Sequence, residues 1–354
     1  MADVPVPNGQ SGDASGGAVV KLTRKDFQTK NDVRWCPGCG DYAILATIQK
    51  FLPDIGVNKE NIVFISGIGC SSRFPYYMET YGVHTIHGRA PTIASGIKLA
   101  NPELDVWIIT GDGDGLSIGG NHLLHLLRRN LNLTILLFNN RIYGLTKGQY
   151  SPASEQGKVT KSSPLGSLDF PVNPASFAIG AGATFYARTT DIDAKHMLEV
   201  LKAAHEHQGT SLVEIMQNCP VFNDGAWKGF TDKGQKDETT VLLKDGEPLL
   251  YRGETRGIGI DQNTLMPMVI DLEAEPQRRD EVLVHDSRKT SSLMANVYAE
   301  MEAPAFPVPL GVFKQEARPT YESLMEHQLT TAKTKNGDAD LKKMLFTGDL
   351  WTVE

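Results

Sequence analysis

The stretch that decides the fold runs from Gly111 to Gln149 and reads GDGDGLSIGGNHLLHLLRRNLNLTILLFNNRIYGLTKGQ. Its glycine-rich opening directly follows an apolar run, DVWIIT, at residues 105–110. A second apolar run, LTILLF, occupies residues 133–138 and leads into Asn139 and Asn140. Short runs rich in branched apolar residues are typical of strands that are buried on both faces of a parallel sheet. The stretch therefore predicts two such strands with a turn and a helix between them.

The same alternation of strands and helices continues on both sides of this stretch. Further strands are predicted at residues 61–66 and 211–216, and helices at residues 41–52, 91–100, 120–130 and 194–208. This order predicts an α/β fold, with a parallel sheet and helices on both of its faces. Ligands of such sheets bind outside the carboxyl ends of the strands. That edge is where residues 111–115 and Asn140 are expected to lie.

Composition divides the chain of 354 residues into three parts. Residues 1–22 are rich in Gly, Ser, Asp and Pro, and we expect a disordered N-terminal tail there. Residues 23–235 carry the alternating pattern, and residues 236–354 form a C-terminal extension that we expect to contact a partner. The elements predicted in this extension are a hairpin, a strand and a helix, at residues 241–251, 281–285 and 293–301.

Charge and hydropathy exclude several classes of function. The formal net charge is -7 and the composition is 40% apolar and 22% charged, which argues against nucleic acid as the main partner. No apolar run approaches the ~20 residues needed to span a bilayer. The chain does not begin with a basic stretch followed by an apolar block, as a secretory signal would. We therefore expect a cytoplasmic protein with neither nucleic acid nor membrane as a partner.

A carboxylate and an amide follow neighbouring strands in the deciding stretch. The glycines of residues 111–115 let backbone N–H groups approach a phosphate, and Asp112 lies among them. Asn140 comes twenty-eight positions later, after the next strand. The two side chains can share one Mg²⁺, and the carbonyl of Ile142 can supply a third oxygen. This pairing of GDG with NN resembles the thiamine-diphosphate motif; the alternative is a tight turn with solvated Asp112 and Asp114.

The chain contains four cysteines, Cys36, Cys39, Cys70 and Cys219. The first two lie in WCPGCG, and each of the others follows a predicted strand, so all four border the sheet. In a reducing compartment such cysteines favour metal binding over disulfides. They can hold a [4Fe–4S] cluster or a structural Zn²⁺, and the isolation of the third and fourth favours the cluster. Inert core cysteines are the alternative.

Six motifs occur in a fixed order between residues 33 and 224: WCPGCG, GIGCSS, HGRA, GDGDG, NNRIYGLTKGQ and CP. Together they resemble the thiamine-diphosphate-binding beta subunit of the 2-oxoacid:ferredoxin oxidoreductase family. The resemblance implies a thiamine-diphosphate-binding fold with thiamine diphosphate, Mg²⁺ and one [4Fe–4S] cluster bound by the four cysteines. It also implies oxidative decarboxylation of a 2-oxoacid with coenzyme A, with electrons passing through the cluster to ferredoxin.

The resemblance also implies roles for single residues. His87 is expected beside the thiamine ring as a catalytic residue. The cofactor contacts implied are Ile68, Gly69, Cys70, Ser71, His87, Gly113, Asp114, Gly144, Leu145 and Lys147. A hydrogen-bonded core histidine is the alternative for His87, and a solvated lysine is the alternative for Lys147.

Arg73 motivates the substrate expected for this chain. It lies three residues after Cys70, in SSRFPYY, a form similar to that of 2-oxoglutarate-specific members of the family. A guanidinium can bind the distal carboxylate that separates 2-oxoglutarate from pyruvate. We therefore expect 2-oxoglutarate as substrate and succinyl-CoA as product. The alternatives are a surface position for Arg73, a different 2-oxoacid such as pyruvate, and, from another class, a non-catalytic zinc-bound scaffold.

One element of thiamine enzymes is missing from the sequence. No segment resembles the pyrimidine-binding domain with the glutamate that activates the cofactor. The resemblance implies that a separate, larger alpha subunit carries it. We therefore expect a heterotetramer of two alpha and two beta subunits, with ferredoxin, 2-oxoglutarate and coenzyme A as further partners.

Overall fold

A computed structural model describes residues 22–353 of the chain. The tail expected at residues 1–22 therefore lies, apart from Leu22, outside the described residues. In the described part, no helix is long and apolar enough to cross a membrane.

Strands and helices alternate along most of the described chain. The strands are β1 (Ile62–Ser66), β2 (Tyr81–His84), β3 (Asp105–Gly111), β4 (Leu133–Asn139), β5 (Phe185–Thr190), β6 (Thr210–Met216), β7 (Thr240–Leu243), β8 (Leu250–Tyr251), β9 (Arg256–Ile260), β10 (Pro267–Asp271) and β11 (Val308–Gln315). The helices are α1 (Asp41–Phe51), α2 (Ala90–Ala100), α3 (Asp112–Leu116), α4 (Gly120–Arg129), α5 (Pro174–Gly180), α6 (Ala194–Glu206), α7 (Lys228–Thr231), α8 (Lys236–Thr239), α9 (Ser292–Ala299), α10 (Tyr321–Asn336) and α11 (Leu341–Leu345).

An eight-stranded sheet forms the centre of the molecule, in the order β2-β1-β3-β4-β6-β5-β11-β7. Neighbouring strands are parallel, except that β11 runs antiparallel to β5. The predicted α/β class with a mainly parallel sheet is confirmed. The sheet also takes in β7 and β11 from the C-terminal extension, which the sequence pattern did not indicate.

Helices cover both faces of this sheet. Along β4, Ile135 and Leu137 join the core on one face, while Leu136 and Phe138 join the core on the other. This is the alternation that a strand with two buried faces requires. Helices α2, α4, α5 and α9 contribute buried residues to the first core, and α1 and α6 contribute to the second.

The hairpin predicted at residues 241–251 is wrong. β7 pairs in parallel with β11, whereas β8 pairs antiparallel with β9 in a separate three-stranded sheet, β10-β9-β8. The turn signal at Asp245-Gly246 is local, but the partner that completes the hydrogen bonds of β7 lies far along the chain. Local sequence cannot indicate such a pairing.

The strand predicted at residues 281–285 is also wrong as a regular strand. A 3₁₀ helix covers Pro276–Glu281, and the next residues form only an isolated bridge between Pro248 and Val284. Backbone hydrogen bonds flank this bridge on both sides but do not extend into a ladder. The helix predicted at residues 293–301 is confirmed as α9.

The order of the strands brings the predicted motifs together at one edge of the sheet. β1, β3, β4 and β6 lie side by side and parallel, so their carboxyl ends meet. The GIGC, GDGDG, NN and CP motifs follow these four ends in turn. Segments that are far apart in sequence therefore face one another.

Candidate functional site

A cavity of about 470 Å³ lies at this carboxyl edge. Such a volume is in the range of small-molecule and cofactor sites. Its wall contains twelve of the residues predicted for cofactor or metal binding: Ile68, Gly69, Cys70, Ser71, His87, Asp112, Gly113, Asp114, Asn140, Ile142, Gly144 and Leu145. We call this space the cofactor cavity.

Asp112 places a buried carboxyl group in the cofactor cavity. Ser151 donates a hydrogen bond of 2.5 Å from Oγ to Oδ2 of Asp112, and the N–H of Asn140 also donates to this carboxyl group. Burial raises the pKa of Asp112 to about 6 in spite of these donors. The ionised form is therefore insufficiently compensated, and a cation at this point would stabilise it.

Asn140 and Asn139 face different surroundings. Oδ1 of Asn140 accepts from the N–H of Ile142 at 3.2 Å, and Nδ2 donates to Gln217 at 2.9 Å, in the wall of the cofactor cavity. Asn139 instead donates to buried Glu214 at 2.7 Å, away from that cavity. The structure therefore brings Asn140, and not Asn139, into the same cavity as Asp112.

Glu214 anchors Asn139 to the sheet. Its carboxylate accepts from Nε of Arg188 at 2.6 Å and from the hydroxyl of Tyr186 at 2.5 Å, in addition to Asn139. Burial alone would raise the pKa of Glu214, but the charge of Arg188 and the hydrogen bonds lower it below its usual value. The ion pair of Glu214 and Arg188 thus holds Asn139, the last residue of β4, in place.

Asp114 has a different role from its neighbour Asp112. Its buried carboxylate accepts from the N–H groups of Ile68 at 3.0 Å and Gly88 at 2.6 Å, and from Oγ1 of Thr110 at 2.7 Å. His87 makes a fourth contact, through Nδ1 at 2.7 Å. These oxygens are occupied within the protein, so only the backbone N–H of Asp114 remains for a phosphate. The sequence did not indicate this joining of loops.

His87 is oriented by Asp114. A carboxylate only accepts hydrogen bonds, so Nδ1 of His87 donates in this contact and Nε2 is the ring nitrogen left for another partner. The ring is half-buried, lines the cofactor cavity and lies 6.3 Å from the ring of Tyr143. His87 therefore lies in the wall of the cofactor cavity and not in the hydrophobic core.

Arg73 and Lys147 lie outside the cofactor cavity. Arg73 lines an adjoining cavity of about 540 Å³, which shares Ile68, Gly69 and Leu145 with it. The Lys147 side chain is exposed on the turn after Gly144 and lines neither cavity. The structure therefore supports a site position for Arg73 beside the cofactor cavity and provides no contact for Lys147.

The four cysteines approach one another at the same edge. Cys39 donates its N–H to the carbonyl of Cys36, and its sulfur lies 3.3 Å from Nε2 of Gln217, two residues before Cys219 in the sequence. A side chain at Gly144 would lie 3.4 Å from Sγ of Cys70 and 3.8 Å from Sγ of Cys219. Two of the sulfurs thus border the loop that closes the cofactor cavity.

The surroundings of these thiols suit a bound metal centre. Burial, reinforced by the charge of Asp41, raises the pKa of Cys70 to about 12 and that of Cys39 well above the usual value. A cationic centre would be needed to keep such groups as thiolates. Within residues 22–353, no three His, Cys, Asp or Glu side chains are grouped as ligands of one metal ion. A cluster spaces its cysteines more widely, because each binds a different iron.

Several residues of the site were not predicted from the sequence. The additional wall residues of the cofactor cavity are Gly111, Tyr143, Thr146, Gln149 and Tyr150. Tyr143 donates from its hydroxyl to the carbonyl of Gly113 at 2.8 Å and so ties the two motif loops together. Ser151, the partner of Asp112, carries no local signal, because its role depends on a loop that folds back onto the start of α3.

Comparison with known proteins first identifies the class. Residues 67–215 match the family model for the thiamine pyrophosphate enzyme, C-terminal TPP binding domain. This segment includes β2 to β5, nearly all of β6 and every residue that lines the cofactor cavity. The chain thus contains a domain of the thiamine-diphosphate-binding class, in agreement with the predicted fold.

Similar proteins then narrow the family. The chain is 51% identical over 339 residues to the 2-oxoglutarate oxidoreductase subunit KorB of Mycobacterium tuberculosis, covering 93% of this chain and 88% of that protein. It is 48% identical over 190 residues to a 2-oxoacid:ferredoxin oxidoreductase subunit beta of Aeropyrum pernix, covering 54% of this chain and 60% of that protein.

A solved structure agrees with these relatives. The 2-oxoglutarate:ferredoxin oxidoreductase from Magnetococcus marinus superposes with a TM-score of 0.71 at 31% identity, covering 92% of this chain and 94% of that chain. The chain belongs to the family of 2-oxoacid:ferredoxin oxidoreductase beta subunits.

Replacing Asp112 with Asn should stabilise the ligand-free chain at pH 8. The carboxyl pKa rises from 3.8 to about 6 on folding, so above pH 6 the folded state holds an unfavourable buried charge. Each unit is worth about 1.4 kcal/mol, and we expect a gain of roughly 1–3 kcal/mol in the free energy of unfolding. The gain should disappear below about pH 4, where the acid is neutral in both states. Urea denaturation measures it.

Asp54→Asn, on an exposed position, is the control and should change little at either pH. A loss of stability in Asp112→Asn at pH 8 would contradict the prediction. It would show that hydrogen bonds from Ser151 and the backbone outweigh the burial of the charge.

Proposed function

We propose that this chain is the beta subunit of an enzyme that oxidatively decarboxylates 2-oxoglutarate with coenzyme A. The products are succinyl-CoA and carbon dioxide, two electrons pass to ferredoxin, and the reaction is reversible. The observation that carries the proposal is the cofactor cavity, where Asp112, Asn140 and His87 border one space beside Cys70. The related Magnetococcus structure contains 2-oxoglutarate, coenzyme A and succinyl-CoA, which supports the substrate.

The oxygens of Asp112, Asn140 and Ile142 would hold Mg²⁺, which prefers such ligands together with phosphates. The backbone N–H groups of Gly113 and Asp114 at the start of α3 would bind the diphosphate. Thiamine diphosphate would supply the nucleophilic carbon and the electron sink for the decarboxylation. The raised pKa of Asp112 supports a cation at this point, because the cation would compensate the buried charge.

His87 would exchange a proton with the reacting substrate through Nε2. The contact between Nδ1 and Asp114 fixes the orientation of the ring, so Nε2 is the nitrogen that would face the substrate. In the adjoining cavity, the guanidinium of Arg73 would bind the distal carboxylate of 2-oxoglutarate. The two side chains would then hold opposite ends of one substrate.

Cys36, Cys39, Cys70 and Cys219 would hold a [4Fe–4S] cluster, which supplies one-electron transfer. The position of Cys70 in the wall of the cofactor cavity supports this, since it would bring the cluster next to the cofactor. Zinc in the same place would provide no electron path, which makes metal content the deciding measurement against a scaffold function.

The larger alpha subunit would complete the site. Among residues 22–353, none of the side chains that line the cofactor cavity is a glutamate, so this wall offers no glutamate to activate the cofactor. The names of the related beta subunits imply an alpha partner. Turnover by the isolated chain would contradict this part of the proposal.

Ser151→Ala should weaken Mg²⁺ binding. Ser151 donates to Asp112 Oδ2, and loss of a partner that orients a metal ligand typically lowers affinity about 10–100-fold. The measurement is the Mg²⁺ concentration required for thiamine diphosphate to bind, followed by calorimetry. Ser162→Ala, at an exposed position, is the matched control. Equal Mg²⁺ requirements in both variants would contradict the metal assignment.

Arg73→Met should raise the KM for 2-oxoglutarate by about 10–100-fold, because a carboxylate loses a charge-assisted pair. The KM for pyruvate should change much less. Viologen reduction by the oxygen-free alpha–beta complex with coenzyme A measures both. Arg128→Met on the exposed face of α4 is the control. A preference of the unmodified complex for pyruvate would remove the substrate assignment and leave the cofactor assignment intact.

The complex purified without oxygen should be brown and contain about four irons per beta chain. Substituting Cys219 with Ser should remove most of this iron, because the cluster would lose one of its four ligands. Elemental analysis for iron and zinc distinguishes a [4Fe–4S] cluster from a structural zinc site. Colourless protein with one zinc per chain would instead support the scaffold.

A further inference from the structure

A strongly apolar surface adjoins the cofactor cavity. Residues 157–170, which we call the apolar loop, expose Val159 by 66%, Leu165 by 99%, Leu168 by 86% and Phe170 by 79%. The loop belongs to a long connection between β4 and α5 that contains no regular helix or strand. Long loops inside compact domains are commonly functional, and grouped exposed apolar side chains mark interaction surfaces.

The apolar loop is held in one conformation by its own hydrogen bonds. The N–H of Gly157 donates to the carbonyl of Ser167 at 2.8 Å, and the N–H of Ser167 donates to the carbonyl of Lys158 at 3.0 Å. Thr160 and Ser163 exchange backbone bonds of 3.2 Å in both directions. A loop that is already ordered loses little entropy when a partner binds.

Two contacts connect the apolar loop to the cofactor cavity. Tyr150, in the cavity wall, donates from its hydroxyl to Asp169 at 3.0 Å. On the other side, the ammonium of Lys158 bonds to Oδ1 of Asn223, whose Nδ2 donates to the carbonyl of Asn140 at 2.9 Å. The loop therefore lies directly beside the loop that carries Asn140.

We propose that the apolar loop is the surface on which the alpha subunit docks. This inference rests on the proposed function, in which a partner must bring an activating carboxylate to the cofactor cavity. The cavity wall includes the exposed residues Leu145 and Thr146. A partner seated on the apolar loop is adjacent to the cavity and can reach it from the solvent side.

The exposed apolar residues of α10 and α11 are less suited to this partner. α10 starts where Tyr321 donates to the carbonyl of Asn130 and Glu322 accepts from Asn132. Both contacts lie at the amino end of β4, opposite the cofactor cavity. The exposed apolar residues of α11 follow α10, which starts at the end of the sheet opposite the cofactor cavity.

The test is a double variant, Leu165→Asp with Leu168→Asp, in the full chain. We expect binding to the alpha subunit to weaken by about 30-fold or more, as for a central interface position. Leu293→Asp with Leu345→Asp, two leucines of similar exposure elsewhere, is the matched control and should bind normally. Calorimetric titration with the purified alpha subunit and the mass of the complex are the measurements.

Normal alpha binding by the loop variant would overturn the proposal. A second result would also overturn it: the chain self-associates, the loop variant alone loses this self-association, and alpha binding persists. The surface would then bind a second copy of the chain. If the double variant does not fold, Leu165→Ser provides the same test, because this side chain makes almost no contact. Assembly is measured by mass and not by turnover, so a wrong substrate or cluster assignment would leave the result unchanged.

Discussion

The buried carboxylate of Asp114 is the interaction on which the cofactor cavity depends. It accepts hydrogen bonds from three separate parts of the chain: the loop after β1 through Ile68, the loop before α2 through His87 and Gly88, and β3 through Thr110. A buried charge is tolerated only with such compensation. Gly67 allows it, since a side chain there would lie 1.9 Å from Oδ2 of Asp114. Without this acceptor, the N–H groups of Ile68 and Gly88 would lose their partner.

Asp112 and Asp114 are two positions apart in the sequence, but their carboxylates lie in different environments. Asp114 is saturated by protein donors and holds loops together. Asp112 is equally buried, but its raised pKa shows that its ionised form is not fully compensated. Binding sites often retain such local instability, because the ligand supplies the missing compensation. The site is therefore organised by one aspartate and left ready for a cation by the other.

The sheet contributes through its strand order. β1, β3, β4 and β6 are neighbours, so cysteines separated by most of the domain come to the same edge. Beneath that edge, the ion pair of Glu214 and Arg188 also fixes Asn139. This leaves the next residue, Asn140, in the wall of the cavity. The network of Glu214, Arg188 and Asn139 thus supports the loop that carries Asn140. The apolar loop contacts that same loop from the outside, through Asn223.

The sequence by itself determined the class of fold and the main members of the site. Apolar runs, glycine turns and motif spacing are local features, and the parallel arrangement places the ends of successive strands together. Tertiary structure alone decided the pairing of β7 with β11, the role of Asp114, the contact of Ser151 with Asp112 and the exposure of Leu165. Each of these depends on contact with, or distance from, residues remote in sequence. No local pattern specifies which distant group will satisfy a buried polar atom.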